Sequence, residues 1–175
     1  TATRINGTFT LGSVSVDSNG HAITSHGTFA LQQSASSITL TYTPLTPEEV
    51  WRQANFGTDW NNNAIAAATA DPDNDGINNL LERAFGGNPN AADSNLLPAT
   101  DSTAPLISIT YRKAIAATDL VFTVEENPDI NSNAWVPANG TSSVLIDNGT
   151  VQTLRFMAPA SGAPRKFLRL HVTAP

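Results

Sequence analysis

The sequence contains no cysteine among its 175 residues. Disulfide bonds, thiolate nucleophiles and cysteine-ligated metal sites are therefore excluded. Methionine is almost as scarce, since Met157 is the single example. A chain with one methionine cannot build the flexible, methionine-rich surface that some promiscuous binding proteins use.

Charged residues make up only 14% of the chain, against roughly 25% in an average soluble domain. The formal net charge of -6 repels phosphate backbones, and no run of Lys and Arg is interleaved with aromatic residues. Both features argue against nucleic acid as a partner. No segment approaches the ~20 apolar residues that a membrane-spanning helix needs, so no membrane span is predicted.

The motifs of several enzyme classes are missing as well. The chain has no G-x-S-x-G nucleophile elbow and no phosphate-binding glycine loop. His21, His26 and His171 do not have the spacing of a zinc site. Glu125 and Glu126 are adjacent in a predicted strand and point to opposite faces, so they cannot form an acid–base pair. The sequence therefore predicts a protein that is not an enzyme.

Alternating apolar and polar residues predict an N-terminal antiparallel β region over residues 1–44. The pentapeptide GTFTL at 7–11 recurs as GTFAL at 27–31, and residues 38–42 alternate in the same way. Residues 17–20 end in Asn-Gly, which suits a tight turn. Because regular alternation gives a strand one buried and one solvated face, we expect a meander of three to four strands.

The spacing of apolar residues changes from alternation to a helical pattern over residues 45–97, where a helical segment is predicted. The first helix is predicted to begin after Thr46, which acts as N-cap and forms a capping box with Glu49 three residues later. Pro47 at the first helical position is a second signal for the same start. Gly57 suits the end of this helix. The second helix is expected from Ile77 to Phe85, before a glycine pair.

Residues 98–175 return to β patterning, and a C-terminal β-sandwich-like domain is predicted there. The candidate strands are 106–111, 120–125, 143–146, 151–156 and 167–172. The tripeptide Asp147-Asn148-Gly149 predicts a hairpin turn between two of them. The predicted fold is therefore mainly β, with two β-sandwich-like or antiparallel sheet regions flanking a short helical segment.

The helical segment contains a twelve-residue stretch that matches the EF-hand-type calcium pattern D-x-D-x-D-G-x5-E. Calcium takes roughly six to eight hard oxygen ligands, whereas magnesium gives up its waters reluctantly. Carboxylates at alternate positions converge on one point only if the chain curls, and Gly76 permits the sharp turn. The predicted calcium ligands are Asp71, Asp73, Asp75, the backbone carbonyl of Ile77, Asn79 (directly or through water) and Glu82.

The chain has one loop of this kind, whereas a calcium sensor typically pairs two such loops. We therefore expect the ion to fix the helix after the loop against its neighbours. Residues 88–93 follow that helix and could either supply outer ligands or form an ordinary turn.

Three stretches, 51–57, 71–82 and 84–89, resemble the C-terminal region of large secreted verrucomicrobial-type proteins that carry autotransporter-associated β-strand repeats. Residues 111–172 look like the β domain that ends such chains. The loop itself is similar to dockerin and thrombospondin type 3 calcium repeats, although those occur in pairs or long arrays. The resemblance implies export, calcium and an extracellular or cell-surface location, and it implies no catalytic activity.

The expected function is that of a secreted, non-enzymatic structural protein, a calcium-stabilised module that anchors or assembles a surface protein or filament. The expected partners are further copies of the chain or other surface protein domains. Strand exchange between subunits would join them, with the N-terminal strand as the donor. The alternative is a carbohydrate-binding or adhesion module, with glycans as partners. Its candidate sugar-stacking residues are Trp51, Trp60 and Trp135, of which Trp51 is expected in the helix core and Trp60 is the favoured one.

Overall fold

Three antiparallel sheets account for most of the fold, and a short helical segment lies between the first sheet and the other two along the chain. The structure, a computed structural model, describes residues 27–93, 95–103, 105–160 and 165–175. The predicted mainly β fold class is confirmed. The run at 7–11, the turn at 17–20, His21, His26 and the proposed N-terminal donor strand lie outside the described residues.

The first sheet is a hairpin of β1 (Gly27–Gln33) and β2 (Ile38–Pro44). Phe29 pairs with Tyr42 across the two strands, and their ring centroids are 5.0 Å apart. Leu31 faces Leu40 in the same register, so the apolar side chains share one face. Every residue of β2 is exposed in the structure.

The first helix follows the sequence signals closely. Helix α1 (Pro47–Phe56) begins after Thr46, whose side chain accepts a hydrogen bond from the backbone N–H of Glu49. The Glu49 carboxylate in turn accepts from the backbone N–H of Thr46 at 2.8 Å, which completes the predicted capping box. Gly57 ends the helix with a φ of 53°.

The remaining helices are short. A 3₁₀ turn (Gly57–Asp59) leads to α2 (Asn63–Ala66), and α3 (Asn79–Phe85) follows the stretch that carries Asp71, Asp73 and Asp75. Helix α3 starts two residues later than the predicted Ile77, because the Asn78 side chain accepts from the backbone N–H of Leu81 and caps the helix there. Neither the 3₁₀ turn nor α2 is apparent in the sequence pattern.

Two sheets form the C-terminal part, and all five predicted strands are present. The four-stranded sheet has the order β3-β4-β8-β7, and the three-stranded sheet has the order β6-β5-β9. The strands are β3 (Ala99–Thr103), β4 (Leu106–Ala114), β5 (Val121–Asn127), β6 (Val136–Pro137), β7 (Thr141–Asp147), β8 (Val151–Pro159) and β9 (Phe167–Thr173). Strands β3 and β6 are additional to the sequence prediction.

The two sheets pack face to face through one apolar cluster. Ile109, Tyr111 and Phe156 come from the four-stranded sheet, and Val124 comes from the three-stranded sheet. Ile109 lies directly opposite Phe156 in the β4–β8 ladder, so both side chains emerge on the same face. This arrangement is β-sandwich-like, as the alternating pattern predicts.

Helix α3 closes one end of the sandwich. Phe85 and Ile77 share a buried cluster with Leu120, which directly precedes β5, and with Val172 near the end of β9. Arg83, which is 4% exposed, forms an ion pair with Asp119 in the connection between β4 and β5. The loop before α3 is therefore held against a rigid support.

Candidate metal centre

Three aspartates of the predicted loop converge in the structure. One carboxylate oxygen from each of Asp71, Asp73 and Asp75 lies within 4.8 Å of the others. Opposite oxygen ligands of a calcium-sized ion are separated by about the same distance, since each metal–oxygen bond is ~2.3–2.6 Å long. The spacing of the three groups is therefore suited to holding a cation.

The backbone of the loop turns tightly to bring these carboxylates together. Asn74 has a φ of 61° and Gly76 a φ of 89°, and both values lie in the left-handed region that Gly and Asn tolerate best. The backbone N–H of Gly76 donates to Asp71 Oδ2 at 3.0 Å, and that of Ile77 donates to Asp75 Oδ1 at 2.8 Å. These bonds fix one oxygen of each carboxylate and leave Asp71 Oδ1 without a hydrogen bond.

Glu82 is the most unusual member of the predicted ligand set. Its side chain is 1% exposed, and neither carboxylate oxygen accepts a hydrogen bond within the described chain. A buried carboxylate without hydrogen bonds or a cation costs several kcal/mol, on the order of the stability of a whole domain. Such a group is expected where it binds a cation.

The pKa of Glu82 is raised by its burial and by nearby negative charges. Burial raises the pKa of Glu82 from its ordinary value of 4.5 to about 7, and the charges of Asp75, Asp93, Asp73 and Asp71 contribute in that order. Burial also raises the pKa of Asp73, with the neighbouring aspartate charges acting in the same direction. A divalent cation bound among these carboxylates would offset their mutual repulsion and lower their pKa values.

The other two predicted ligands are also buried. Ile77 is 4% exposed and its side chain packs in the α3 cluster, so its position in the loop is fixed. Asn79 donates through Nδ2 to the carbonyl oxygens of Ile65 and Ala67 at 2.7 and 2.8 Å. Because both donor bonds are made, the amide orientation is set and Asn79 Oδ1 is left as an unpaired oxygen.

Asp93 also approaches the loop, although it lies eleven positions after Glu82. Its backbone N–H donates to Asp75 Oδ2 at 2.7 Å, and its carboxylate accepts from the backbone N–H of Asn88 at 3.1 Å. Residues 88–93 therefore form a turn that brings Asp93 back to Asp75 in the loop. The sequence alone left outer ligand and ordinary turn as open alternatives.

The donor set is consistent with a hard cation. Within the described residues, the buried side-chain oxygens without a hydrogen-bond partner are carboxylate or amide oxygens: Asp71 Oδ1, Asp73 Oδ2, Asn79 Oδ1, Glu82 Oε1 and Glu82 Oε2. Nitrogen and sulfur ligands would be expected at a zinc or copper site instead. The cluster could therefore hold a metal ion of the oxygen-seeking kind.

The other candidate residues from the sequence, Glu125, Glu126 and Trp60, are not part of the aspartate cluster. Glu125 and Glu126 bind different partners: Arg169 donates to Glu125 at 2.7 Å, and Lys166 donates to Glu126 at 3.0 Å. Trp60 is half-buried and directly follows the 3₁₀ turn of the helical segment. Among the described residues, no helix has both the length and the apolar character needed to span a membrane.

Comparison of the chain with protein-family models, with curated proteins and with solved structures finds no match.

Proposed function

We propose that this chain is a calcium-stabilised structural module of a secreted or cell-surface protein and that it is not an enzyme. The observation that carries the proposal is Glu82, a buried carboxylate whose two oxygens accept no hydrogen bond within the described residues. The charges of Asp75, Asp73 and Asp71 act on this carboxylate, and one oxygen from each of these three aspartates converges on a single point. The resemblance to verrucomicrobial-type secreted proteins supports the extracellular setting. Calcium is abundant in that setting, and the chain has no disulfide to replace it as a cross-link.

The bound ion would act on stability through α3. The loop and α3 share their buried cluster with residues of β4, β5 and β9, so a cation that fixes Glu82 also fixes the helix on the sandwich. With an extracellular-type dissociation constant of ~10⁻⁴–10⁻³ M, a few millimolar calcium adds about 0.6–2 kcal/mol to the free energy of unfolding. That gain is a substantial share of a typical domain's stability.

Thermal unfolding in EDTA and in millimolar calcium tests the proposal. We expect calcium to raise the melting temperature of the wild type by about 1–8 °C, from the linkage free energy and the usual conversion for this size. Glu82→Gln removes the charge that binds the cation, so its melting temperature should rise far less with calcium. Because the variant also removes a buried, unpaired charge, we expect it to be at least as stable as the wild type in EDTA.

Asp101→Asn is the matched control. Asp101 is an exposed carboxylate on β3, far along the chain from the loop. Its variant should keep the full calcium response. An unchanged wild-type melting temperature in calcium, or an equal rise in magnesium, would overturn the calcium assignment.

The sheet edges support assembly with further copies or other surface domains. Strand β7 is an edge of the four-stranded sheet, and Val144, Leu145 and Ile146 are 52%, 45% and 62% exposed on it. Strand β6 is only two residues long and covers β5 only at Glu125 and Glu126. Exposed apolar edge strands are templates for an incoming strand, which is how we propose that subunits join.

Carbohydrate binding is the second candidate, and one surface cluster favours it. The guanidinium of Arg169 lies 4.3 Å from the ring centroid of Trp135, and Glu125 accepts from Arg169 and contacts His171 at 3.3 Å. An aromatic ring beside convergent polar groups is the composition of many small-ligand sites. Binding on a glycan array that is lost in Trp135→Ala but retained in Trp60→Ala would favour this candidate.

A further inference from the structure

Asp93 occupies a position that the twelve-residue loop does not account for. Its backbone N–H holds Asp75 Oδ2 at 2.7 Å, which fixes the Asp93 main chain at the edge of the aspartate cluster. Its side chain is half-buried, and only one carboxylate oxygen is used by the backbone N–H of Asn88. Since a carboxylate has lone pairs for about four contacts, Asp93 retains capacity for a further partner.

Glu82 provides the second, independent observation. Both of its carboxylate oxygens are buried, and neither accepts a hydrogen bond within the described residues. The backbone N–H of Asp93 lies 2.7 Å from Asp75 Oδ2, so Asp93 borders the aspartate cluster whose charges act on Glu82. Two carboxylates close together in a buried site repel each other unless a proton or a cation lies between them.

Gly87 shapes the same region. A Cβ atom at Gly87 would come 2.8 Å from the carboxyl carbon of Glu82 and would overlap Glu82 Oε2 and Leu96. The absence of a side chain at this position allows the main chain after α3 to reverse closely over Glu82. That reversal is what carries residues 88–93 back to the loop.

We propose that Asp93 is a further ligand of the cation held by the loop from Asp71 to Glu82. This inference rests on the proposed function, because it assumes that the loop binds calcium. With Asp93 included, the ion joins the loop to the connection that leads into β3, so one cation links the helical segment to the first strand of the sandwich. The twelve-residue pattern alone would confine the ion to the loop and α3.

The variant Asp93→Asn tests whether Asp93 is a metal ligand or only an ordinary turn residue. The Asn side chain keeps an oxygen that accepts from the backbone N–H of Asn88, but it loses the negative charge. We expect the calcium dissociation constant, measured by isothermal titration calorimetry, to rise by about tenfold or more. In EDTA the variant should melt at or above the wild-type temperature, since one like charge beside Glu82 is gone.

Asp129→Asn is the matched control, because Asp129 also accepts a backbone N–H, from Asn131 at 3.0 Å, in an exposed turn after β5. Its calcium dissociation constant should equal that of the wild type. If Asp93→Asn does not fold, Asp93→Ser keeps a short acceptor and provides the same comparison. Calcium affinity within about twofold of wild type in the Asp93 variant would overturn this inference alone. A wild type that binds no calcium would overturn the proposed function as well.

Discussion

At the scale of single residues, Glu82 is the group whose surroundings differ most from those of an ordinary side chain. It is buried, it accepts no hydrogen bond within the described chain, and its pKa is raised to about 7. In the absence of calcium, the folded state therefore binds a proton at Glu82 more tightly than the unfolded state, where the pKa is near 4.5. A proton and a calcium ion would compete for the same oxygens.

The expected pH dependence follows from this competition. The stability that protonated Glu82 contributes to the calcium-free protein is fully present below pH about 4.5 and is lost as the pH rises through about 7. Near pH 6, calcium binding should therefore release a proton, and near pH 8 it should release almost none. Calcium titrations in two buffers with different protonation enthalpies measure this release. Equal heats in the two buffers near pH 6 would contradict the prediction.

Residue spacing was sufficient to predict that the three loop aspartates converge, but not that Asp93 approaches them. Asp71, Asp73 and Asp75 converge as the loop pattern indicates, because their separation is set by local backbone geometry. Asp93 could not be assigned from the sequence, since its approach depends on the reversal of the chain after α3. The glycine pair at 86 and 87 is the signal that such a reversal occurs.

At the scale of secondary-structure elements, local signals predicted most boundaries. The capping box fixed the start of α1, and alternation located β4, β5, β7, β8 and β9. Strand β3 was missed because its sequence, ATDST, is polar and all five residues are exposed, so it has no alternating pattern. Strand β6 was missed because two residues are too few to show a period.

The capping box at Thr46 gives a prediction at this scale. Thr46→Ala removes the side-chain acceptor for the Glu49 N–H and should destabilise α1 by about 1 kcal/mol. Hydrogen exchange of the α1 amides should then be about fivefold faster, if exchange follows local opening. Thr58→Ala, at an exposed position in the following 3₁₀ turn, is the matched control and should leave exchange unchanged. Equal exchange rates in the two variants would show that the cap contributes nothing.

At the scale of the whole molecule, the exposed edge of β7 determines how copies could associate. Ile146 is 62% exposed, so a charged residue there should cost little folding free energy while blocking an incoming strand. We expect the wild type in calcium to form assemblies whose mass rises with concentration, and Ile146→Lys to remain a monomer by light scattering. Ile130→Lys changes an equally exposed isoleucine outside the strands and should still assemble. A wild type that stays monomeric at high concentration would remove strand addition from the proposed function.

The closeness of the aspartates along the chain also bears on the order of folding. The contacts among Asp71, Asp73, Asp75 and Asp93 fall within residues 71–93, whereas Ile109 and Phe156 pair across the intervening strands β5, β6 and β7. Short loops close at a small entropic cost, and long-range strand pairing generally limits the folding rate. If the cation site forms before the sheets pair, calcium will accelerate refolding. If it forms afterwards, calcium will leave the refolding rate unchanged and slow unfolding instead.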